Sequence, residues 1–380
     1  MPTKSTEESP VFSPPRCPFP DCPAHSIERR DGTTFYIRNG RYRPKCRSHP
    51  VPRFKCRDCG RGFSRQTFRQ DYRDHKPHLN AKLLEFLAHG LGLRQSATIL
   101  KLSRRCAEMK ARKLSRHLVN VNRNLLDQFP EGCSFQMDEM ESFETERTVL
   151  PLTVPVLIEQ ESMFVVDART APIRPSGKMS QKRSKAIRRR EEAEGRRRND
   201  SRGCLKRVLR QGAKFCKKLS KVRIDTDEKT MYPGLIRWAF GPRHEHRQSS
   251  SRSPRDTCNR LFPINHMNAM TRYLTGWLRR RSWLASKQRR FLDLQLSVFQ
   301  AYLNFVRPRF NGEHETPGMV LRLVHQKLTP TDLVSWRQDW GWYSPHPLQG
   351  HRTIRAVRAR DRQLGRAGFQ VRVEKRGFAD

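Results

Sequence analysis

Four cysteines in the first sixty residues have the types and spacing of a metal site. Cys17 and Cys22 stand in C-P-F-P-D-C, and Cys56 and Cys59 stand in C-R-D-C before a glycine. Two thiolate pairs, each on a tight turn, can bind Zn²⁺ tetrahedrally while the chain between them forms short strands. We therefore expect these four residues to bind a structural zinc ion in a zinc ribbon.

Three other residues leave the ligand set open. Cys46 and His49 lie between the two pairs and could replace one member, and His25 could replace Cys22. The two outer pairs make the more regular ribbon, so ligation by four cysteines is favoured.

Two aspartates are the candidates for phosphoryl-transfer chemistry. Asp138 lies in a short strand, S-F-Q-M-D-E, whose alternation places it on the face opposite Phe135 and Met137. Asp227 comes just past the end of a second strand, V-R-I-D-T. Two carboxylates brought together suit a two-metal site, in which Mg²⁺ ions activate the attacking oxygen and stabilise the departing one. Taken singly, either residue is more typical of a strand end or of the surface.

The order of the predicted elements is the reason to combine the two aspartates. Three strands come first and predict an antiparallel meander, over 134–139, 149–158 and 163–168. A helix over about 205–219 and a fourth strand follow. This order is found in ribonuclease-H-like folds, in which the fourth strand pairs beside the first. We therefore expect Asp138 and Asp227 to become neighbours.

Upstream of the meander, three helical segments predict a helix-turn-helix. A leucine-rich helix begins near Asn80, a second spans 94–100, and Ser103 caps a third from Arg104 to about Leu118. Five basic residues of the third helix are expected to project toward DNA: Arg104, Arg105, Lys110, Arg112 and Lys113. The alternative is an ordinary three-helix bundle with a solvated basic face.

The charge of the chain indicates a polyanionic partner. Among 380 residues, Lys and Arg number 77 and Asp and Glu 37, which gives a formal net charge of +40. Each Lys or Arg placed against a phosphate releases counterions, which favours nucleic acid. No apolar stretch approaches the roughly 18–20 residues that span a bilayer, and 1–15 has no run typical of a secretory signal. We expect no membrane association and a cytoplasmic, nucleoid-associated protein with reduced cysteines.

These observations predict a multidomain chain with a small zinc-ribbon β module, a helix-turn-helix α module and an α/β ribonuclease-H-like domain with a mixed sheet. The expected divisions are a disordered N-terminus 1–15, the zinc ribbon 16–66, the DNA-binding helix-turn-helix 78–127, the catalytic domain 132–310, a C-terminal extension 311–345 and a basic tail 346–380. A basic insert, 174–203, is expected inside the catalytic domain as a helical or mobile arm, or as a solvated loop.

Several motifs, in this order, resemble bacterial insertion-sequence transposases of the DDE type, particularly those with an N-terminal zinc ribbon and helix-turn-helix. The resemblance spans about Cys17 to Trp340 and is carried by M-D-E-M-E-S-F-E at 137–144, I-D-T-D-E-K-T-M-Y-P at 224–233, I-N-H-M-N-A-M-T-R-Y-L-T-G-W-L-R-R-R-S-W at 264–283, Y-L-N-F-V-R-P-R-F at 302–310 and T-P-G-M at 316–319. It implies Mg²⁺-dependent strand cleavage and strand transfer. The implied partner is double-stranded DNA, as terminal repeats and target, bound by a homo-oligomer.

By motif match, the resemblance assigns Asp138 to the first acidic position and Asp227 to the second, with Asp225 as the competitor for the second. The third position departs from the family pattern. Where the family has Glu three residues before an Asn, this chain has Asn265 before Asn268. An Asn offers a metal ion a neutral oxygen but no charge, so we expect the second ion to bind more weakly.

Asn265 therefore leaves two main hypotheses. One is an active DNA transposase that binds element ends and catalyses phosphodiester cleavage and strand transfer, with Asp256 supplying a carboxylate if its loop folds back. The other is a catalytically inactive or domesticated transposase-derived DNA-binding protein or regulator. A third, a zinc-ribbon RNA-binding factor, explains the charge but not the strand-end aspartates.

Overall fold

The computed structural model describes the following residues: 12–14, 16–25, 33–44, 50–126, 134–147, 149–216, 221–250, 252–254, 256–278 and 288–336. They belong to two compact units. One contains the described residues up to His78 with Ser335 and Trp336, and the other runs from Leu79 to Val334. A small antiparallel sheet lies in the first unit and a mixed sheet in the second, in agreement with the expected multidomain α/β class.

The sheet of the first unit has three antiparallel strands in the order β1 (Tyr36–Tyr42), β2 (Val51–Cys56) and β3 (Gly62–Ser64). Phe54 pairs with Phe63 across β2 and β3, and their ring centroids lie 5.6 Å apart. Phe68 packs edge-on against Phe63. Phe12 also packs against Phe54, with centroids 5.7 Å apart, because this contact removes apolar surface from water. Phe12 thus lies within the segment 1–15 that the sequence predicts to be disordered and contacts the core of this unit.

The second unit begins with three helices, α1 (Asn80–Ala88), α2 (Leu93–Ile99) and α3 (Arg104–Leu126). Ser103 caps α3 as predicted, since its hydroxyl accepts a 3.2 Å hydrogen bond from the amide of Cys106. The helix runs well past the predicted end near Leu118, because Leu118, Val121 and Leu125 are fully buried and no Gly or Pro interrupts it.

The sheet of the second unit is built from β4 (Phe135–Phe143), β5 (Pro151–Glu159), β6 (Val165–Ala168), β7 (Ala171–Pro172), β8 (Val222–Thr226) and β9 (His244–Gln248). The strand order is β6-β5-β4-β8-β9, and β7 pairs with β5. Antiparallel pairing of β4, β5 and β6 confirms the predicted meander. Parallel pairing of β8 with β4 confirms that the fourth predicted strand lies beside the first. The edge strand β9, which the sequence patterns do not predict, is parallel to β8.

The remaining helices described in this unit are α4 (Gln181–Glu194), α5 (Ser201–Phe215), α6 (Tyr232–Phe240), α7 (Phe262–Leu274), α8 (Arg289–Phe305), α9 (Pro317–Val320) and α10 (Pro330–Ser335). The basic insert therefore contains a helix, α4. On β4, the side chain of Glu139 hydrogen-bonds with α5 and α6, whereas Asp138 hydrogen-bonds with α7. Since neighbouring side chains of a strand point to opposite faces, these helices cover the two faces of the sheet.

Helices α1 and α3 pack against α8. The hydroxyl of Ser115 on α3 donates a 3.0 Å hydrogen bond to the carbonyl of Leu294, and the side-chain amide of Gln295 donates to the carbonyl of Leu87. The segments 78–127 and 132–310, which the sequence divides into separate modules, therefore share one compact unit from Leu79 onward.

Candidate functional site

The four predicted zinc ligands lie together in the first unit. The Sγ atoms of Cys17, Cys22, Cys56 and Cys59 all lie within 4.8 Å of one another. Cys17 and Cys59 have their sulfurs 3.8 Å apart, and Cys22 and Cys56 have theirs 3.7 Å apart. Zinc–sulfur bonds of about 2.3 Å in a tetrahedron separate the sulfurs by about 3.8 Å. The cluster is therefore compatible with a structural zinc site.

Two tight turns give each cysteine pair its geometry. The amide of Cys22 donates a 3.1 Å hydrogen bond to the carbonyl of Phe19, and the amide of Gly60 donates one of 3.1 Å to the carbonyl of Cys56. Gly60 has a φ of +68°, a left-handed conformation that glycine adopts without a steric penalty. The fixed spacing within each pair thus comes from local backbone hydrogen bonds.

His25 does not belong to the cysteine cluster. Its Nδ1 donates a 2.8 Å hydrogen bond to the carbonyl of Cys17, and its ring is buried. Burial and the nearby charge of Arg16 lower its pKa, so the ring is neutral at pH 7 and braces the first turn. The other alternative ligands, Cys46 and His49, lie outside the described residues.

Within the cluster, the surroundings of Cys59 favour the thiolate form. Burial raises the pKa of Cys17 and of Cys22. Burial also acts to raise the pKa of Cys59, but hydrogen bonds from the side chain and backbone of Arg61 prevail and lower it to about 6. Arg61 is itself held by Asp21, with nitrogen and oxygen 2.8 Å apart. Because the thiolate is the metal-binding form, Arg61 assists the cluster electrostatically.

In the second unit, the register of β4 and β8 positions the two predicted acidic residues. Gln136 pairs with Asp225 in parallel register. Two residues further along each strand, on the same face, come Asp138 and Asp227 at the carboxyl-terminal end of β8. Both are half-buried and line one open cleft of about 800 Å³. The structure thus brings Asp138 and Asp227 to the same site.

Helix α7 supplies the facing wall of this cleft. The side-chain amide of Asn268 donates a 2.7 Å hydrogen bond to Oδ2 of Asp138. The Oδ1 atom of Asn268 is buried and has no hydrogen-bond partner among the described residues. Asn265, the predicted third position, lies one turn earlier and also lines the cleft. The predicted site residues and Asn268 therefore combine two carboxylates with two neutral amides, and Glu139 and Glu141 also line the cleft.

The start of α7 is held to β4 by a single glutamine. Oε1 of Gln136 accepts a 3.0 Å hydrogen bond from the amide of Ile264, and its Nε2 donates one of 2.7 Å to the carbonyl of Arg260. Gln136 is fully buried, so both ends of its side chain are satisfied by the segment that leads into α7. This contact positions α7 so that Asn268 reaches Asp138 in the first half of β4.

The sequence identifies Asn268 only as a motif neighbour, and the structure shows that it contacts Asp138 directly. Asn265 and Asn268 are three residues apart on a helix, a spacing that places side chains on one face. This spacing in the sequence could have indicated that Asn268 faces the same site as Asn265. Among the described residues, the cysteines are the only group of three or more metal-ligand types whose ligand atoms all lie within 4.8 Å of one another. Glu139 and Glu141 also line the cleft, but they do not form such a group with Asp138 and Asp227.

The two alternative aspartates, Asp225 and Asp256, do not line the cleft. Asp225 is 1% exposed, its Oδ1 has no hydrogen-bond partner among the described residues, and burial raises its pKa. Asp256 is exposed, and its Oδ1 accepts hydrogen bonds of 3.1 Å from the amides of Cys258 and Asn259. It therefore caps a turn and is not among the residues that line the cleft, so this structure gives no support to the alternative in which Asp256 supplies a carboxylate.

Glu139, beside Asp138 on β4, is engaged by the opposite face of the sheet. Its oxygens accept hydrogen bonds from Thr153 (2.6 Å), Ser201 (3.2 Å) and Tyr232 (3.0 Å), and Lys229 forms an ion pair with it. A carboxylate with four partners is committed to holding α5 and α6 against the sheet. Sequence patterns do not reveal this role, because it depends on contacts between distant segments.

The basic residues predicted to project from α3 divide into two groups. Arg104 and Arg105 are exposed as expected. Lys110 does not project: it is 4% exposed, and its ammonium donates a 2.8 Å hydrogen bond to Oδ1 of Asn80. This expectation was wrong because α1 packs over that face of α3 and provides a buried polar partner.

The last two predicted DNA contacts, Arg112 and Lys113, are half-buried. The guanidinium of Arg112 forms an ion pair with Glu108 and lies 5.3 Å from the ring centroid of Phe291. The exposed basic surface of α3 is therefore concentrated at its N-terminal end.

No family model matches the chain, and no curated protein matches it in sequence. The resemblance to transposases thus depends on the motifs alone. Within the described part of the chain, every helix is too short or too polar to cross a membrane.

Proposed function

We propose that the chain is a DNA transposase of the DDE type with a ribonuclease-H-like catalytic domain. The observation that carries the proposal is the parallel register of β4 and β8, which puts Asp138 and Asp227 in one cleft with Asn265 and Asn268. In this proposal the enzyme acts in the cytoplasm, associated with the nucleoid, as a homo-oligomer on double-stranded DNA.

The residues of the cleft fit Mg²⁺. All of the candidate donors are oxygens, from the carboxylates of Asp138 and Asp227 and the amides of Asn265 and Asn268, and Mg²⁺ prefers a few such ligands. The unpartnered Oδ1 of Asn268 is an available neutral ligand. Bound divalent ions supply Lewis-acid activation of an attacking oxygen and stabilise the leaving oxygen of a phosphodiester.

The protein itself contributes orientation and charge. The amide of Asn268 fixes one oxygen of the Asp138 carboxylate, and the amide of Lys229 donates a 3.3 Å hydrogen bond to Oδ1 of Asp227. Each aspartate is thus held in one orientation by a neutral donor. Arg272 also lines the cleft and contributes positive charge where a phosphate backbone enters.

Two further features support DNA as the substrate. Helix α4 carries six basic side chains, of which Lys182, Lys185, Arg188 and Arg189 are exposed and therefore accessible to phosphates. Arg104 and Arg105 expose positive charge at the start of α3. In this proposal the cysteine cluster of the first unit, with a structural Zn²⁺, also takes part in recognising element ends.

The test is nicking of duplex DNA that carries the flanks of the reading frame, measured in Mg²⁺. We expect Asp138→Asn to reduce the rate at least about a thousandfold, because it removes a charged ligand from a metal site worth several kcal/mol. The control is Asp256→Asn, which changes an exposed carboxylate outside the cleft and should leave the rate unchanged. Persistent nicking by Asp138→Asn would show that Asp138 is not a metal ligand.

A second candidate function is a non-catalytic, transposase-derived DNA-binding protein. The observation that favours it is the pair of neutral amides on α7, one of which occupies an oxygen of Asp138. This candidate predicts specific DNA binding without nicking in either Mg²⁺ or Mn²⁺. It also predicts that Asn265→Glu, by adding the missing charge, gains nicking activity.

A further inference from the structure

A second cavity in the Leu79–Val334 unit has a different chemistry from the acidic cleft. It has a volume of about 480 Å³ and lies among α3, α5, α8 and the edge strand β6. Four arginines line it: Arg123, Arg169, Arg207 and Arg289. Three aspartates line it as well: Asp167, Asp200 and Asp293. None of these residues lines the cleft that contains Asp138 and Asp227.

Three of the arginines are neutralised in pairs. Arg169 lies 2.6 Å from Asp167, measured between nitrogen and oxygen. The corresponding nitrogen–oxygen distance is 2.7 Å between Arg207 and Asp200 and 3.3 Å between Arg289 and Asp293. With all seven groups ionised, four positive and three negative charges leave a net charge of 4 − 3 = +1.

The unmatched charge belongs to Arg123. This residue forms no ion pair within the described residues, and its Nη1 is buried without a hydrogen-bond partner among them. Burial and the neighbouring guanidinium of Arg169 lower the pKa of Arg123. Both causes disfavour the charged form, and an anion beside Arg123 would reverse that penalty.

Asn122, the residue before Arg123, also has buried polar atoms without hydrogen-bond partners among the described residues. Asn122 is 3% exposed and lines the cavity, yet neither its Oδ1 nor its Nδ2 has a hydrogen-bond partner among the described residues. A buried side-chain amide without partners destabilises the folded state, so a bound ligand that satisfies it would be stabilising. Two consecutive residues of α3 thus line one cavity, and each has a buried donor that no described residue satisfies.

We propose that this cavity binds a phosphate group. Nη1 of Arg123 and Nδ2 of Asn122 are the unused donors, and a phosphate offers several acceptor oxygens with the geometry that guanidinium groups prefer. Arg207 and Arg289 are 46% and 42% exposed, so they stand where an anion enters. The proposal does not depend on whether the acidic cleft cleaves DNA.

The volume of the cavity limits the source of the phosphate. Small-molecule sites typically occupy about 300–1,000 Å³, and this cavity lies within that range. It has room for a phosphate attached to a sugar, which fits either a free nucleotide or the phosphorylated end of a nucleic acid strand. The two sources share the same recognition by Arg123 and Asn122, and titration distinguishes them.

The experiment is isothermal titration of the full-length protein with inorganic phosphate at constant ionic strength, in chloride. Arg123→Met keeps the length and apolar stem of the side chain but removes the guanidinium, and we expect phosphate affinity to fall at least about tenfold. The control is Arg116→Met, an exposed arginine on the same helix, which removes the same net charge and should leave the affinity unchanged.

If Arg123→Met does not fold, Asn122→Leu serves as the second variant, and we expect it to weaken phosphate binding about threefold or more. Equal affinity in wild type and in a folded variant at either position overturns the proposal, as does the absence of phosphate binding by wild type. Parallel titrations with thymidine 5′-monophosphate and with a single-stranded oligonucleotide, with and without a 5′-phosphate, identify the source by whichever binds more tightly than inorganic phosphate.

Discussion

The cysteine cluster consists of four identical ligand types, whereas the candidate site residues in the cleft between β4 and α7 are two aspartates and two asparagines. The cysteines come from two local turns, and three of the four are buried. The cleft is open, and its ligands come from three separate elements. Structural zinc sites are closed in the first way, and metal sites that act on a substrate keep open positions.

The two sites differ in how many of their candidate ligands carry charge. In the cysteine cluster, every ligand can carry charge and each pair is fixed by its own turn. In the cleft, Asp138 and Asp227 carry charge, while Asn265 and Asn268 contribute only dipoles. We expect the first site to bind a metal ion without help. If the proposed function is correct, divalent ions in the second site would depend on a phosphate substrate to complete their coordination.

The largest expected effect follows removal of one cysteine. Cys56→Ser should abolish zinc binding and unfold the first unit, because zinc contributes about 10–16 kcal/mol to the folding of comparable small modules. Zinc content per chain, measured by atomic emission, and far-ultraviolet circular dichroism check this. Cys258→Ser is the control, since Cys258 is exposed and outside the cluster. Full zinc content in Cys56→Ser would contradict the assignment of Cys56 as a zinc ligand.

A smaller effect is expected from removing the Glu139 carboxylate, which stabilises the fold and is not a predicted metal ligand. Glu139→Ala should destabilise the protein by about 2–4 kcal/mol, because it leaves Lys229 and three hydroxyl groups without their shared acceptor. Urea denaturation measures the change. Glu141→Ala, on the same strand but exposed, should change stability by less than about 0.5 kcal/mol. Similar losses in both variants would contradict the structural role of Glu139.

A further negative charge in the cleft is expected to strengthen the binding of divalent ions. Asn268→Asp would place a carboxylate beside Asp138, and we expect Mn²⁺ affinity to rise about tenfold because affinity at oxygen sites depends on ligand charge. Without the ion, repulsion between the two carboxylates should lower the free energy of unfolding. Titration calorimetry measures the affinity, and Asn199→Asp, at an exposed position, is the control. Unchanged affinity would mean that the amide is not a ligand position.

The parts of this site that could be predicted from sequence are those that depend on pattern. Alternation and the order of elements predict the pairing of β4 with β8, and with it the meeting of Asp138 and Asp227. Packing between distant segments decides the rest. Lys110 reads as an exposed cation until α1 supplies Asn80 as its partner. The polar run H-E-H-R-Q has no apolar alternation, yet it forms β9 because β8 offers it an open edge.

The smallest expected effect concerns pH and the support of the Asp227 strand end. Nε2 of His246 on β9 hydrogen-bonds with Oγ1 of Thr226 (2.8 Å), which in turn donates to the carbonyl of Asp227 (2.8 Å). Burial and the nearby His244 lower the pKa of His246. The unfolded chain, with a histidine pKa near 6.5, therefore binds this proton more readily than the folded chain.

Stability should accordingly fall as the pH drops below about 6.5 and level off once the pH is below the pKa of the folded state, a loss of about 1 kcal/mol or less. Urea denaturation between pH 7.5 and 5 measures it, and His246→Gln should flatten the curve. The cysteine cluster has no part in this hydrogen-bonded chain. If His246→Gln leaves the slope unchanged, His246 is not what makes the end of β8 sensitive to acid.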